Sequence, residues 1–195
     1  MDLRKRRSQD KLQVALAQHL QSKTIDEITI GELTRTAGVS RQTFYSNFDS
    51  KQSILLNRIE TLFDKSRVNF EKLIKRDDLG REEVVELGLL HLLEECSKEK
   101  TLMRAAFTGQ AGIQCLSLLK TLLRTLIADR ILHQFRYNFD DNRLDLISDF
   151  MAGGIIGTVQ GWLLDETGKK DLQSVVENAG RLIPHGLDSY IKMPN

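Results

Sequence analysis

Thr29-Ile30-Gly31-Glu32-Leu33-Thr34-Arg35-Thr36-Ala37-Gly38-Val39-Ser40-Arg41-Gln42-Thr43-Phe44-Tyr45-Ser46-Asn47-Phe48-Asp49-Ser50-Lys51 reads as two helices and the turn between them. Thr29 followed three residues later by Glu32 has the form of a capping box, in which hydroxyl and carboxylate each satisfy the other's backbone donor. The helix it opens buries Leu33 and Ala37. It stops at Gly38, because glycine adopts left-handed backbone angles at little cost just past a helix C-terminus. Ser40 caps the next helix, predicted over residues 41–48, with Phe44 and Phe48 four apart and facing inward. Two helices with about three residues between them must cross steeply, so the second projects its leading end outward.

That leading end carries Arg41, Gln42 and Thr43, with Tyr45 beside them. Arginine grips guanine O6 and N7, glutamine grips adenine N6 and N7, and threonine offers a hydroxyl and a methyl group, so these are residues suited to reading base edges in a major groove. Tyr45 and Lys51 suit phosphate oxygens, and Lys51 opens a helix whose free amides favour an anion.

Upstream, residues 8–22 are predicted as a helix with Ser8 as its cap, since Leu12, Leu16 and Leu20 recur every four residues with Ala15 beside them. Downstream, helices are predicted near 51–75, 82–97, 101–108, 112–136, 142–165 and 171–190. The only prolines are Pro184 and Pro194, and strict alternation of apolar and polar residues is scarce, so the chain reads as all-α. Residues 1–51 carry nine Lys/Arg against six Asp/Glu, including the run Arg4-Lys5-Arg6-Arg7, whereas the remainder is slightly acidic. No apolar stretch approaches a membrane span, and nothing resembles a secretory signal, so a cytoplasmic protein is expected. Cys96 and Cys115 lack metal-ligand spacing and read as reduced core thiols.

The residues from Ile30 to Lys51 resemble the DNA-binding domain of TetR-family regulators. Ala37-Gly38-Val39-Ser40, Thr43-Phe44-Tyr45, Phe48 and Lys51 stand at that family's spacing. There are departures. Thr34 replaces a usual small alanine, Gly31 weakens its helix by about 1 kcal/mol relative to Ala, and Asn47 stands where His or Tyr is common, which alters one phosphate contact. Gln42 occupies a position often filled by glycine, making it a stronger candidate for base reading. The candidate DNA-contact set is Thr29, Ser40, Arg41, Gln42, Thr43, Tyr45, Asn47 and Lys51. The resemblance implies a helix-turn-helix domain over residues 1–51 and a helical body over 52–195, whose last two helices pair with those of a second copy.

Within that body Gly153, Gly157 and Gly161 recur every four residues down one helix. Glycine costs helix stability, so three in register point to close approach of another backbone, from a second copy or from the same chain, with the wall of a pocket as the alternative. The Gly-Gly-Ile-Ile-Gly cluster, with Gly161-Trp162 beyond it, also resembles the C-terminal domain of Firmicutes-type members. His91, Met103, Phe107, Gln110, Phe135, Tyr137 and Trp162 are the candidates for a ligand pocket, as polar or aromatic tips among apolar residues. No nucleophile with a base, phosphate loop or carboxylate pair stands out, so neither catalysis nor a cofactor or metal is expected.

The leading expectation is a homodimeric repressor on a pseudo-palindromic double-stranded DNA operator, its affinity set by a small molecule in the body. The alternative is a coactivator-type relative regulated by a protein partner. A sizeable closed apolar cavity in the body would favour the first.

Overall fold

The computed structural model describes residues 3–109, 111–128 and 140–191. Among them nine helices and no strand occur: α1 (Leu3–His19), α2 (Ile30–Ala37), α3 (Arg41–Tyr45), α4 (Lys51–Leu73), α5 (Arg81–Lys98), α6 (Lys100–Ala106), α7 (Ala111–Leu126), α8 (Asp141–Leu163) and α9 (Leu172–Ile191). The all-α expectation holds. The predicted extension of α7 to residue 136 falls largely outside the described residues.

Two boundaries differ for identifiable reasons. α1 begins at Leu3, so Ser8 is an interior residue and not its cap. The Ser8 hydroxyl donates to the Arg4 carbonyl at 3.1 Å, and the basic run is helical. α3 ends at Tyr45 because its last turn tightens: the amide of Asn47 donates to the Phe44 carbonyl, three residues back, at 2.9 Å.

The chain divides into two compact units, Met1–Thr61 with Glu99–Leu118 and Leu62–Lys98 with Leu119–Asn195. The three helices of the predicted reader lie in the first. α6, the start of α7 and the first turns of α4 join them. Leu12 and Leu16 of α1, Leu33 of α2 and Phe44 of α3 are each fully buried there. Arg58 on α4 is held by both carboxylate oxygens of Glu99, the residue before α6, with Nε 2.6 Å from Oε2.

The second unit has a core of Phe63, Phe70, Val84, Ile127, Ile147 and Met151, among others. Close approach of α5 and α9 depends on Gly180, where a Cβ would stand 2.1 Å from Cγ of Glu86. Pro184 sits inside α9. Lacking an N–H, it leaves the carbonyl four residues back without its helix donor. Cys96 and Cys115 are buried and unpaired, and burial pushes their thiols up to about 12 and about 11, so both stay protonated.

Candidate nucleic-acid interface

The turn is built as its residues require. Thr29 is the N-cap of α2. Its hydroxyl accepts from the Glu32 amide at 3.2 Å, and the Glu32 carboxylate accepts from the Thr29 amide at 2.8 Å. Gly38 ends α2 at φ 62°, ψ 39°, in the left-handed region, and its amide donates to the Arg35 carbonyl at 3.2 Å. Ser40 starts α3 at once: its Oγ accepts from the Thr43 amide at 3.0 Å and lies 2.9 Å from Thr43 Oγ1. Only two residues beyond Gly38 separate one cap from the next helix, which fixes where α3 points.

Fully buried Phe44 and nearly buried Phe48 anchor α3 from beneath, their ring centroids 6.5 Å apart. Burying an aromatic ring of this size contributes about 2–3 kcal/mol, enough to hold a five-residue helix with little stability of its own. Tyr45 meets the Phe44 ring edge-on at 5.3 Å and stays 57% exposed. Arg41 and Gln42 are exposed at the leading end.

The eight candidate contact residues thus divide. Arg41, Gln42 and Tyr45 present exposed side chains, and Thr43 is half-buried. Thr29 and Ser40 use their hydroxyls as caps. Asn47 supports α3 from its C-terminal end: Nδ2 donates to the Thr43 carbonyl at 2.7 Å, while Oδ1 is buried without a partner. Lys51 donates to the carbonyls of Asp26 and Ile28 at 2.7 and 2.8 Å, stapling the loop before α2 to the start of α4. Gly31, weak in sequence terms, has a local use: a Cβ there would stand 3.3 Å from Nη2 of Arg41, so glycine lets that guanidinium lie close over α2.

Charge supports the same turn. An ion pair with Lys23, then the Thr29 backbone amide and hydroxyl, hold the Glu32 carboxyl at about 2.

In the second unit, α8 presents an open face. Leu146 and Phe150 are 63% and 81% exposed, and a Cβ added at Gly153, Gly154 or Gly157 would meet nothing within 4 Å. Leu146, Phe150, Gly153 and Gly157 follow the four-and-three spacing of one helix face. Leu182 on α9 is 73% exposed as well. Gly161 differs from its two stripe-mates: Nζ of Lys170 in the same chain donates to its carbonyl at 3.1 Å.

The second unit also holds an apolar cavity of about 620 Å³, counting its open mouth. Phe63, Ser66, Arg67 and Phe70 line it from α4, Leu89 and Leu92 from α5, with aliphatic side chains of the later helices. The pocket candidates taken from sequence are not gathered there. Met103 and Phe107 are buried in the first unit, His91 and Trp162 are half-buried elsewhere in the second, and Gln110, Phe135 and Tyr137 lie outside the described residues. The physical reason is that isolated polar or aromatic tips do not mark this wall, which is mostly ordinary apolar core. The signal in the sequence was on α4, where Phe63, Ser66, Arg67 and Phe70 repeat at i, i+3, i+4 and i+7, a serine and an arginine set in an aromatic stripe.

Residues 14–57 match the family described as "Bacterial regulatory proteins, tetR family", and residues 83–184 match "Transcriptional regulator C-terminal region". The chain is 26% identical over 111 residues to the HTH-type transcriptional regulator EthR of Mycobacterium tuberculosis, an alignment that spans only 51% of that protein's length and 56% of this chain. It is 24% identical over 185 residues to the HTH-type transcriptional regulator YdgC of Bacillus subtilis, covering 92% of both. Among solved structures it shares its fold with FadR of Thermus thermophilus, a repressor crystallised with lauroyl-CoA (TM-score 0.67, 20% identity, 92% of this chain and 94% of that one). It also shares it with the dihydroxyacetone kinase operon activator DhaS (TM-score 0.64, 18% identity, 93% and 97%). The capped turn, the aromatic anchor beneath α3 and a C-terminal match spanning more than half of the sequence agree: the chain belongs to the TetR family of bacterial transcriptional regulators.

Proposed function

We propose that the chain works as a homodimeric repressor that reads a pseudo-palindromic operator with α3 and changes its affinity when a small molecule enters the cavity of the second unit. The observation that carries this reading is the exposed Arg41–Gln42 pair at the leading end of a helix fixed by two caps and two buried rings. These two side chains discriminate bases. Tyr45 meets phosphate. Lys51 sets the height of the loop before α2 through its two carbonyl contacts and has a third donor for a phosphate oxygen. Thr29, Ser40 and Asn47 act by holding the reader's shape.

The open face of α8, with Leu182 of α9, is the surface for a second copy. Exposed apolar side chains beside glycines that leave room for another backbone support this. Gly153 and Gly157 fit that contact, whereas Gly161 is explained by Lys170 within the chain. The apolar wall of the cavity, broken only by Ser66 and Arg67, supports a small-molecule effector.

The test is an anisotropy titration on a duplex that the protein selects and on single-base variants of it. Arg41→Ala and Gln42→Ala should each relax preference at one position per half-site, by about 1–3 kcal/mol. Lys51→Ala should weaken selected and random DNA alike. Equal losses on every sequence for all three variants would refute the division of roles.

A further inference from the structure

Polar atoms are scarce in the cavity wall. Ser66 and Arg67 supply the polar side chains among otherwise apolar residues such as Phe63, Phe70, Leu89 and Met151. Their states differ. Arg67 is held from both sides, its Nη1 2.8 Å from Glu71 and its Nε 3.4 Å from Asp64, so two carboxylates outweigh its charge. Ser66 Oγ is buried and has no hydrogen-bond partner.

Among the described residues that unused hydroxyl is matched by buried Ser148 of α8, which does not line the cavity. A helical serine or threonine commonly donates to the carbonyl four residues back. Thr61, Thr125 and Thr158 do so at 2.9, 3.0 and 2.8 Å. Ser66 does not, and a buried polar group without a partner costs free energy until something pairs with it.

The geometry points to an uncharged amphiphile as the occupant of this cavity, with an apolar body against the aliphatic and aromatic wall and one hydroxyl- or carbonyl-type group on Ser66 Oγ. An ionised head would lose its hydration against a wall whose one cation is already neutralised. A neutral hydroxyl or carbonyl loses less, because Ser66 can donate to either and can instead accept from a hydroxyl. Gly88 gives the site its depth. A Cβ there would stand 2.4 Å from Cδ2 of Phe70, so the Phe70 ring rests against bare backbone of α5, and any larger residue drives it away from that position. This deepens the reading of the cavity as the effector site and names its ligand class.

The experiment is calorimetric titration of the full chain at pH 7.5 with octan-1-ol, octanoate, octylamine and the hydroxyl-free butylbenzene. The same ligands are then added to a preformed complex with operator duplex. Octan-1-ol should bind once per chain, and octanoate and octylamine at least tenfold more weakly. Ser66→Ala should weaken octan-1-ol about two- to tenfold, the share of one neutral hydrogen bond, and leave butylbenzene unchanged. Gly88→Ala, which favours the helix and displaces Phe70, should weaken both. The inference is overturned if octanoate or octylamine binds as tightly as octan-1-ol. It is equally overturned if Ser66→Ala shifts octan-1-ol and butylbenzene alike, if Gly88→Ala changes neither, or if octan-1-ol shows no saturable binding. Octanoate binding that releases operator would refute the ligand class and leave effector control standing. Octan-1-ol binding with no change in operator affinity would do the reverse.

Discussion

Glu32 concentrates several jobs in one carboxylate. It completes the cap of α2, pairs with Lys23 and accepts from Thr29, and these contacts hold it at about 2 against an ordinary 4.5. A carboxyl depressed on folding contributes stability that is fully present above its unfolded value and disappears as pH falls toward the folded one. The capping contribution should therefore be intact above pH 4.5 and lost between 4.5 and about 2. Comparing thermal melts of the wild type and Glu32→Gln across that interval checks it: the gap in Tm should shrink as pH falls. A gap that stays constant would show that the ionised carboxylate is not what stabilises the turn. At this scale the sequence was informative wherever a residue acts on its own neighbours. Thr29, Gly38, Ser40, Phe44 and Phe48 perform the local roles their types and spacing imply. Lys51 and Asn47 were harder to read, because their carbonyl partners are set by how the loop before α2 and the end of α3 fold back, and spacing does not encode that.

Helices were legible as elements because their apolar residues recur with helical period, and their ends where a cap or a glycine marks them. The start of α1 was misread because Ser8 looks like a cap, while nothing polar outweighs continued helix through Leu3–Arg7. The cavity was not legible because its wall is assembled from five helices distant in sequence, each contributing residues that any core would contain. α4 deserves a test as an element. It is one uninterrupted helix that begins at the reader, crosses from the first compact unit to the second after Thr61, and lines the cavity with Ser66 and Arg67. A helix is stiff enough to carry a displacement along its length, and replacing Glu60 and Thr61 by Gly-Gly costs about 1 kcal/mol per residue without touching the cavity wall or α3. That variant should keep its DNA affinity and bind ligand, yet its affinity should no longer respond to a metabolite extract that shifts the wild type. An undiminished response, measured by the same anisotropy titration, would place the signal on another route.

For the whole molecule, two readers on one duplex must be held at a spacing set by the DNA repeat, about 34–36 Å or a multiple of it. Under the proposed function, that requirement makes assembly through α8 and α9 part of the reading function. Gly157→Leu puts a branched side chain where the structure leaves open space on the exposed face. Each chain should fold normally by circular dichroism, and sedimentation at micromolar concentration should shift from dimer to monomer. A wild type that sediments as a monomer, or a variant that remains a dimer, would remove α8 from the interface.

In the proposed function, two copies of α3 read two related half-sites through Arg41 and Gln42. Selection of bound sequences from a pool of random duplex DNA tests it most directly. The expected result is an enriched inverted repeat whose half-sites are a helical turn or a multiple apart, with preference lost at one position of each half-site when Arg41 or Gln42 is replaced by alanine. Enrichment of a lone half-site, or no enrichment above the random pool, would contradict it.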